Sequence, residues 1–220
     1  LVVSRYQFVW ATFHQTTEAV CKGLDAAWCF FGAMARVLVP DNMSSIVVLA
    51  DPLNPTIVPA FQDYLTERGL FVDPARVRSP RDKGRVENQV AYIRESWFDG
   101  EEFHGLDDAQ RSAEHWCREV AGRRVHGTTK QVPQEVFERD EKPQMLPAPT
   151  SAFDVPKWAI AKVHPDHHIK MDGALYSLPT RLIGQKVRVR ADTTSVRIYL
   201  EEHGVLADRA PGLPGRRTDG

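Results

Sequence analysis

Three prolines fall within the stretch Lys142-Pro143-Gln144-Met145-Leu146-Pro147-Ala148-Pro149-Thr150-Ser151. Proline fixes φ and lacks an N–H, so such a stretch cannot run as a helix interior or a central strand. It reads as an extended connector between two folded parts. The predicted organisation is a first domain over 1–142, a linker over 143–156, a second domain over 157–210 and a loose tail over 211–220. The charge divides near the same place. Residues 1–140 carry 16 basic and 20 acidic side chains, net −4, and residues 141–220 carry 12 and 9, net +3. The whole chain therefore sits at −1 over 220 residues, which hides a positive second part.

Hydrophobic residues at 42% and charged ones at 26% describe an ordinary globular chain and exclude a collagen, a disulfide-stapled scaffold and a wholly disordered protein. No apolar run approaches the roughly 18–20 residues that span a bilayer, and the opening residues are too polar for a secretory signal. Cys21, Cys29 and Cys117 form no Cys-x-x-Cys pair. An odd count without metal spacing predicts reduced thiols and a cytoplasmic setting. Cys21 and Cys29 fall in an apolar helical pattern and are predicted to be core.

In the first part, the aromatic and β-branched run Arg5–Phe13 predicts a strand. Ala19, Val20, Leu24, Ala27 and Phe31 mark one face of a helix over Thr16–Phe31, with Thr16 or Thr17 as its cap. A short buried strand is expected over Arg36–Pro40, a helix over Pro55–Arg68 closed by Gly69, and a strand over Leu70–Asp73. Helices follow over Asp82–Trp97 and Leu106–Ala121. Alternation of strands and helices predicts an α/β sandwich with a mostly parallel sheet. The second part reads differently. Ala159–His164, Ile169–Met171, Ala174–Leu178, Lys186–Ala191, Ser195–Glu201 and Val205–Ala207 are short strand patterns. VRVRA and VRIYL alternate apolar with mostly basic residues at period two, giving one buried and one positive face. A small antiparallel barrel is the expectation.

Two carboxylates stand out in the first part. Asp41, in Val39-Pro40-Asp41-Asn42, follows an apolar strand, and the carboxyl end of a parallel strand opens on the crevice where α/β ligands bind. Glu87 lies in the first turns of the third predicted helix, behind Arg76, Arg78, Arg81, Lys83 and Arg85. A carboxylate set among cations suggests divalent-metal and phosphate chemistry, and hard carboxylate oxygens suit Mg²⁺. Two such ions can serve the attacking and the leaving oxygen of a phosphodiester. The plainer alternative is a turn residue and a solvated helical charge.

The ordered runs VPDN, SPRDKGRVENQVAYIRESWF and RRVHGTTKQVPQEVF resemble the IstA-type transposases of bacterial insertion sequences. That family is similar to the retroviral integrase and Mu transposase superfamily, with a ribonuclease-H-like core and an Asp-Asp-Glu metal triad. AKVHPDHHIKMDGALYSLPTRLIGQKVRVRAD resembles its carboxyl-terminal Mu-type β-barrel, so the likeness covers nearly the whole chain. The fold class it implies is α/β, a partial ribonuclease-H-like integrase core followed by a small antiparallel barrel. By position, Asp41 matches the second triad carboxylate and Glu87 the third, both as metal ligands. The resemblance implies two Mg²⁺ ions, transposon-end and target DNA as substrate, a homo-oligomer on paired ends, and a AAA+ ATPase helper. The implied reaction is cutting and joining of transposon ends to target DNA. The first triad Asp belongs on a strand upstream of the aromatic run, and Asp25, in the predicted first helix, does not occupy a strand site. The expectation is therefore an amino-terminally truncated or decayed copy, catalytically inactive by itself. The alternative reading is a non-catalytic DNA-binding or interaction remnant.

Several cations are candidates for phosphate contact, which positions DNA without reading its sequence. Lys83 and Arg85 flank the start of the third helix. Arg94 lies two turns past Glu87 on a neighbouring face; pairing with Glu95 is its alternative. Lys186, Arg188 and Arg190 share one strand face, which Arg197 extends; a solvated barrel face is the alternative there. Val86, Val90, Ile93 and Trp97 form the predicted core stripe of that third helix. His126, before Thr128 and Thr129, reads as a structural turn or a backbone clamp on DNA. His164-Pro165-Asp166-His167-His168 reads as a polar hairpin connection rather than a zinc site, since adjacent strand residues face opposite ways and no fourth ligand follows at zinc spacing.

Overall fold

The computed structural model describes residues 1–40, 45–49, 56–73, 90–200, 204–212 and 217–218. They divide into two compact units, Leu1–Phe153 and Asp154–Gly220.

In the first unit, helix α1 spans Thr17–Phe31, and the Thr16 hydroxyl accepts the Ala19 N–H as its cap. Helix α2 spans Pro59–Arg68 and closes on Gly69 at φ 66°, whose N–H reaches the carbonyls of Leu65 and Thr66. That left-handed turn is why glycine stands there. Strands β1 (Ala33–Met34), β2 (Val37–Leu38), β3 (Val47–Leu49), β4 (Thr56–Ile57) and β5 (Phe71–Val72) are short. β2 and β5 pair parallel, Val37 with Phe71 and Leu38 with Val72. β3 pairs antiparallel with β4, and β1 pairs antiparallel with β6 (Leu146–Pro147). In place of the predicted mostly parallel sheet, the described residues of this unit hold three separate two-stranded pairs, one of them parallel. A helix over Leu106–His115 continues as a wider π-type turn through Trp116–Ala121.

Further expectations change in this unit. Arg5–Phe13 is not a strand. Arg5 sits at φ 63°, which breaks an extended run. The Gln110 side chain then takes the part of a neighbouring strand: its oxygen accepts the Ala11 N–H at 2.9 Å and its amide donates to the Val9 carbonyl at 3.2 Å. Tyr6 instead packs its ring within 5.5 Å of Phe30, Phe31 and Phe137. The strand predicted over Arg36–Pro40 is not buried: Val37 is 50% exposed and its partner Phe71 is 71% exposed, because the pair has solvent on one side. In the core stripe predicted for the third helix, Trp97 is buried against Ala113, Trp116 and Cys117, but Val90 is exposed. Of the predicted core cysteines, Cys21 is buried and Cys29 exposed. Burial pushes the thiols of Cys21 and Cys117 up to about 12.

The proline-rich stretch is anchored to the first unit. Leu146–Pro147 forms β6, the Arg68 guanidinium donates to the Ser151 carbonyl at 2.7 Å, and the Phe153 N–H donates to Asp25 at 2.7 Å. Asp25 lies in α1 and pairs with Arg68 at 2.8 Å; their side chains are only 13% and 7% exposed. The Tyr64 hydroxyl donates to the same carboxylate and accepts the Trp28 indole N–H. Burial first, then the Asp25 charge, push the Tyr64 hydroxyl well above its ordinary range.

In the second unit, β7 (Lys157–Lys162), β10 (Lys186–Ala191), β11 (Val196–Leu200) and β12 (Gly204–Arg209) form an antiparallel sheet in the order β12-β11-β10-β7. β8 (His168–Met171), β9 (Ala174–Ser177) and β13 (Arg217–Thr218) form a second sheet in the order β13-β9-β8. Val187, Val189, Ala191, Val196 and Ile198 share a core with Ile169, Tyr176, Leu178 and Leu182. Full burial of each large apolar side chain contributes about 1.5–3 kcal/mol. The His164–His168 segment is a hairpin turn joining the sheets: His164 donates to the His168 carbonyl, and His167 turns at φ 57°. The tail predicted to be loose adds the parallel strand β13 beside β9, and the Gly212 N–H donates to the Tyr176 hydroxyl at 2.7 Å.

Candidate nucleic-acid interface

Asp41, Glu87, Lys83 and Arg85 lie outside the described residues. Arg94 opens the π-type turn Arg94–Phe98. It is exposed, and among the described residues its guanidinium pairs with no acid, Glu95 included. His126 is a turn residue. Its Nδ1 accepts the Thr128 and Thr129 N–H groups at 3.3 Å each, and its carbonyl accepts the Lys130 N–H. That use of Nδ1 needs a neutral imidazole. Burial first, then the charges of Arg124 and Arg5, lower its pKa accordingly.

The second unit holds the remaining candidates on one surface. Paired residues on neighbouring strands project to the same face. The register sets Arg188 opposite Ile160 and Tyr199, Arg190 opposite Trp158 and Arg197, and Lys186 opposite Lys162. With Val187 and Val189 turned into the core, all of these occupy the outer face. Arg197 pairs with Asp208 at 3.2 Å. Arg190 pairs with Asp192, and their side chains are 13% and 10% exposed. Burial alone would raise Asp192, but hydrogen bonds from the Thr194 hydroxyl and N–H, Arg190 and the Ser195 N–H hold it well below the usual carboxylate range. Arg190 is therefore neutralised within the protein. Lys162, Lys186 and Arg188 have no acid partner among the described residues, and this leaves a positive strip across β7 and β10.

The sequence reading missed the aromatic half of this face. Trp158 and Tyr199 stack with ring centroids 5.5 Å apart and planes 26° apart, over the strand between them. The Arg188 guanidinium carbon lies 4.9 Å from the Trp158 ring centroid. Ile160, beside them, is 70% exposed. The signal was present: Trp158, Ile160 and Lys162 recur at every second residue, in the same alternation as Lys186, Arg188 and Arg190. What was absent was the pairing that sets the two runs side by side.

Residues 148–209 match the family model of the Mu transposase C-terminal domain. Over all 220 residues the chain is 36% identical to a Mycobacterium tuberculosis protein named as a transposase, of which it spans 53%. It is 27% identical over 94% of its length to the transposase for insertion sequence element IS21 of Pseudomonas aeruginosa, again spanning 53% of that protein. With an IS21-like element transposase of Bacteroides fragilis the identity is 27% over 96% of the chain and 41% of the relative. The chain thus spans about half the length of the curated relatives it matches. Among the described residues, no helix is long and apolar enough to cross a membrane.

Proposed function

We propose that this chain, whose relatives are transposases of bacterial insertion sequences, is the catalytic-core and Mu-type domain portion of a cytoplasmic DNA transposase. Such an enzyme is a polynucleotidyl transferase that cuts transposon ends and joins them to target DNA. Asp41 and Glu87 are the second and third carboxylates of its triad. Their hard oxygens are the donors that Mg²⁺ takes. Asp41 and Glu87 would hold Mg²⁺, which would supply Lewis-acid stabilisation of charge on the attacking and leaving oxygens. The protein's own contribution is positional: Lys83, Arg85 and Arg94 hold DNA phosphates, and Lys162, Lys186 and Arg188 hold the backbone at the second unit. A homo-oligomer on paired ends and a AAA+ ATPase helper complete the proposed assembly.

The observation that carries this reading is similarity to named transposases along the whole chain, with a positive sheet face inside the segment that matches the Mu domain. The test is Mg²⁺-dependent strand transfer by a transposase that contains these 220 residues. Asp41→Ala and Glu87→Ala should each abolish joining while leaving DNA binding intact; joining at the native rate in either variant contradicts the assignment. The 220-residue polypeptide alone supplies two carboxylates of the triad and is expected to bind DNA without joining it. A second reading, DNA binding without chemistry, draws support from the sheet face lying in a compact unit that contains neither Asp41 nor Glu87.

A further inference from the structure

We propose that the outer face of the β12-β11-β10-β7 sheet receives an unpaired nucleic-acid base, with its backbone held by the flanking cations. The proposal rests on the DNA-transposase reading and narrows it, from duplex phosphate contact to a single-stranded segment. Three observations converge on one patch. The first is a column of planar groups: the Trp158 indole stacks on the Tyr199 ring at 5.5 Å and 26°, and Arg188 lies 4.9 Å from the indole centroid. Nucleobases are planar π systems that extend such columns, and aromatic residues interleaved with cations are how sequence-tolerant single-strand surfaces are built. The second is charge. Lys162 and Lys186 face each other across β7 and β10, and neither they nor Arg188 has an acid partner among the described residues. A polyanion complements that strip. The third is Ile160. It stands opposite Arg188 and is 70% exposed, so it offers an apolar floor beside the stack. Duplex DNA keeps its base faces covered and has no use for that floor; an unpaired base does.

The test is fluorescence anisotropy of the 220-residue chain with a labelled oligothymidine and with a labelled duplex of equal length. Trp158→Ala should weaken oligothymidine binding by roughly tenfold and duplex binding by less than about twofold, while Trp158→Phe keeps the ring and most of the affinity. Ile160→Glu changes an exposed position without touching the core, so it reads the patch even if Trp158→Ala unfolds; it too should weaken the single strand more than the duplex. Equal losses for both ligands, or unchanged oligothymidine affinity in Trp158→Ala and Ile160→Glu, overturn the inference. So does tighter binding of an acidic peptide than of oligothymidine, which would make the patch a protein-docking face. Duplex binding with no single-strand dependence on Trp158 overturns this inference alone. No binding to either DNA overturns the proposed DNA contact as well.

Discussion

Each unit holds a nearly buried aspartate–arginine pair, Asp25 with Arg68 in the first and Asp192 with Arg190 in the second. The chemistry is the same and the reach is not. Asp25 and Arg68 are 43 residues apart and tie α1, α2, Ser151 and Phe153 together. Arg190 and Asp192 are two residues apart and close one hairpin between β10 and β11. The first pair is a junction of distant chain segments. The second is a local clasp on a sheet where Lys162, Lys186 and Arg188 have no acid partner among the described residues. The charge of the Asp25–Arg68 pair serves assembly of its unit; on the second unit's sheet, part of the charge faces outward.

The largest expected effect sharpens that contrast. Asp25→Ala leaves Arg68 buried without its partner and also frees the Phe153 N–H and the Tyr64 hydroxyl. Breaking a buried pair this way costs about 3–5 kcal/mol, to be read as a lower urea midpoint of the first unit by tryptophan fluorescence. Replacing both partners, Asp25→Ala with Arg68→Met, should recover much of the loss; no recovery would mean the pair does more than neutralise itself. Asp192→Ala should cost less, about 1–3 kcal/mol, because its bonds close one hairpin and tie no distant segments together. Equal losses at Asp25 and Asp192 would break the distinction between junction and clasp.

The turns differ in pH response as well. Asp192 has its folded pKa held down, so its contribution is complete above about 3.9 and is lost as pH falls through the folded value. Thermal melts of Asp192→Ala should therefore show a flatter acid limb than the native chain. His126 in the first unit also has a lowered pKa, but its neutral ring is the working form. Its contribution is complete above about 6.5 and declines as pH falls from there toward the folded value. The effect is the smallest of the set: faster amide exchange at Thr128 and Thr129 below about pH 6.5 than the intrinsic rate predicts. A turn indifferent to pH between about 5 and 7 would remove His126 from its role.

Local rules carried the sequence reading where a few neighbouring residues decide the outcome. Thr16 caps α1 and Gly69 closes α2 by short-range hydrogen bonds, and the period-two alternation of Lys186–Ala191 sorts its residues into a buried and an outer face. The reading failed where a distant partner decides. Arg5–Phe13 has strand composition, but Gln110 satisfies its backbone from a helix. The tail 211–220 has turn composition, yet Arg217–Thr218 finds β9. At the candidate interface Lys186 and Arg188 were legible because alternation is local, and Lys162 was not, because its place opposite Lys186 depends on strand pairing. The Trp158–Tyr199 stack was not, because it forms across β10 and depends on two strand registers. Asp25 illustrates both sides: its helical position was legible, its pairing with Arg68 was not. Asp41 and Glu87 rest on the family resemblance and fall outside the described residues.

The measurement closest to the central claim, that the second unit presents Lys186 and Arg188 to DNA, is the salt dependence of duplex affinity for the 220-residue chain and its Lys186→Ala/Arg188→Ala variant. Each phosphate contact contributes about 0.9 to the slope of log K against log salt concentration. The account predicts a salt slope shallower by about 1.8 in the double variant, with the fold intact by circular dichroism. An unchanged slope in a folded double variant would contradict it.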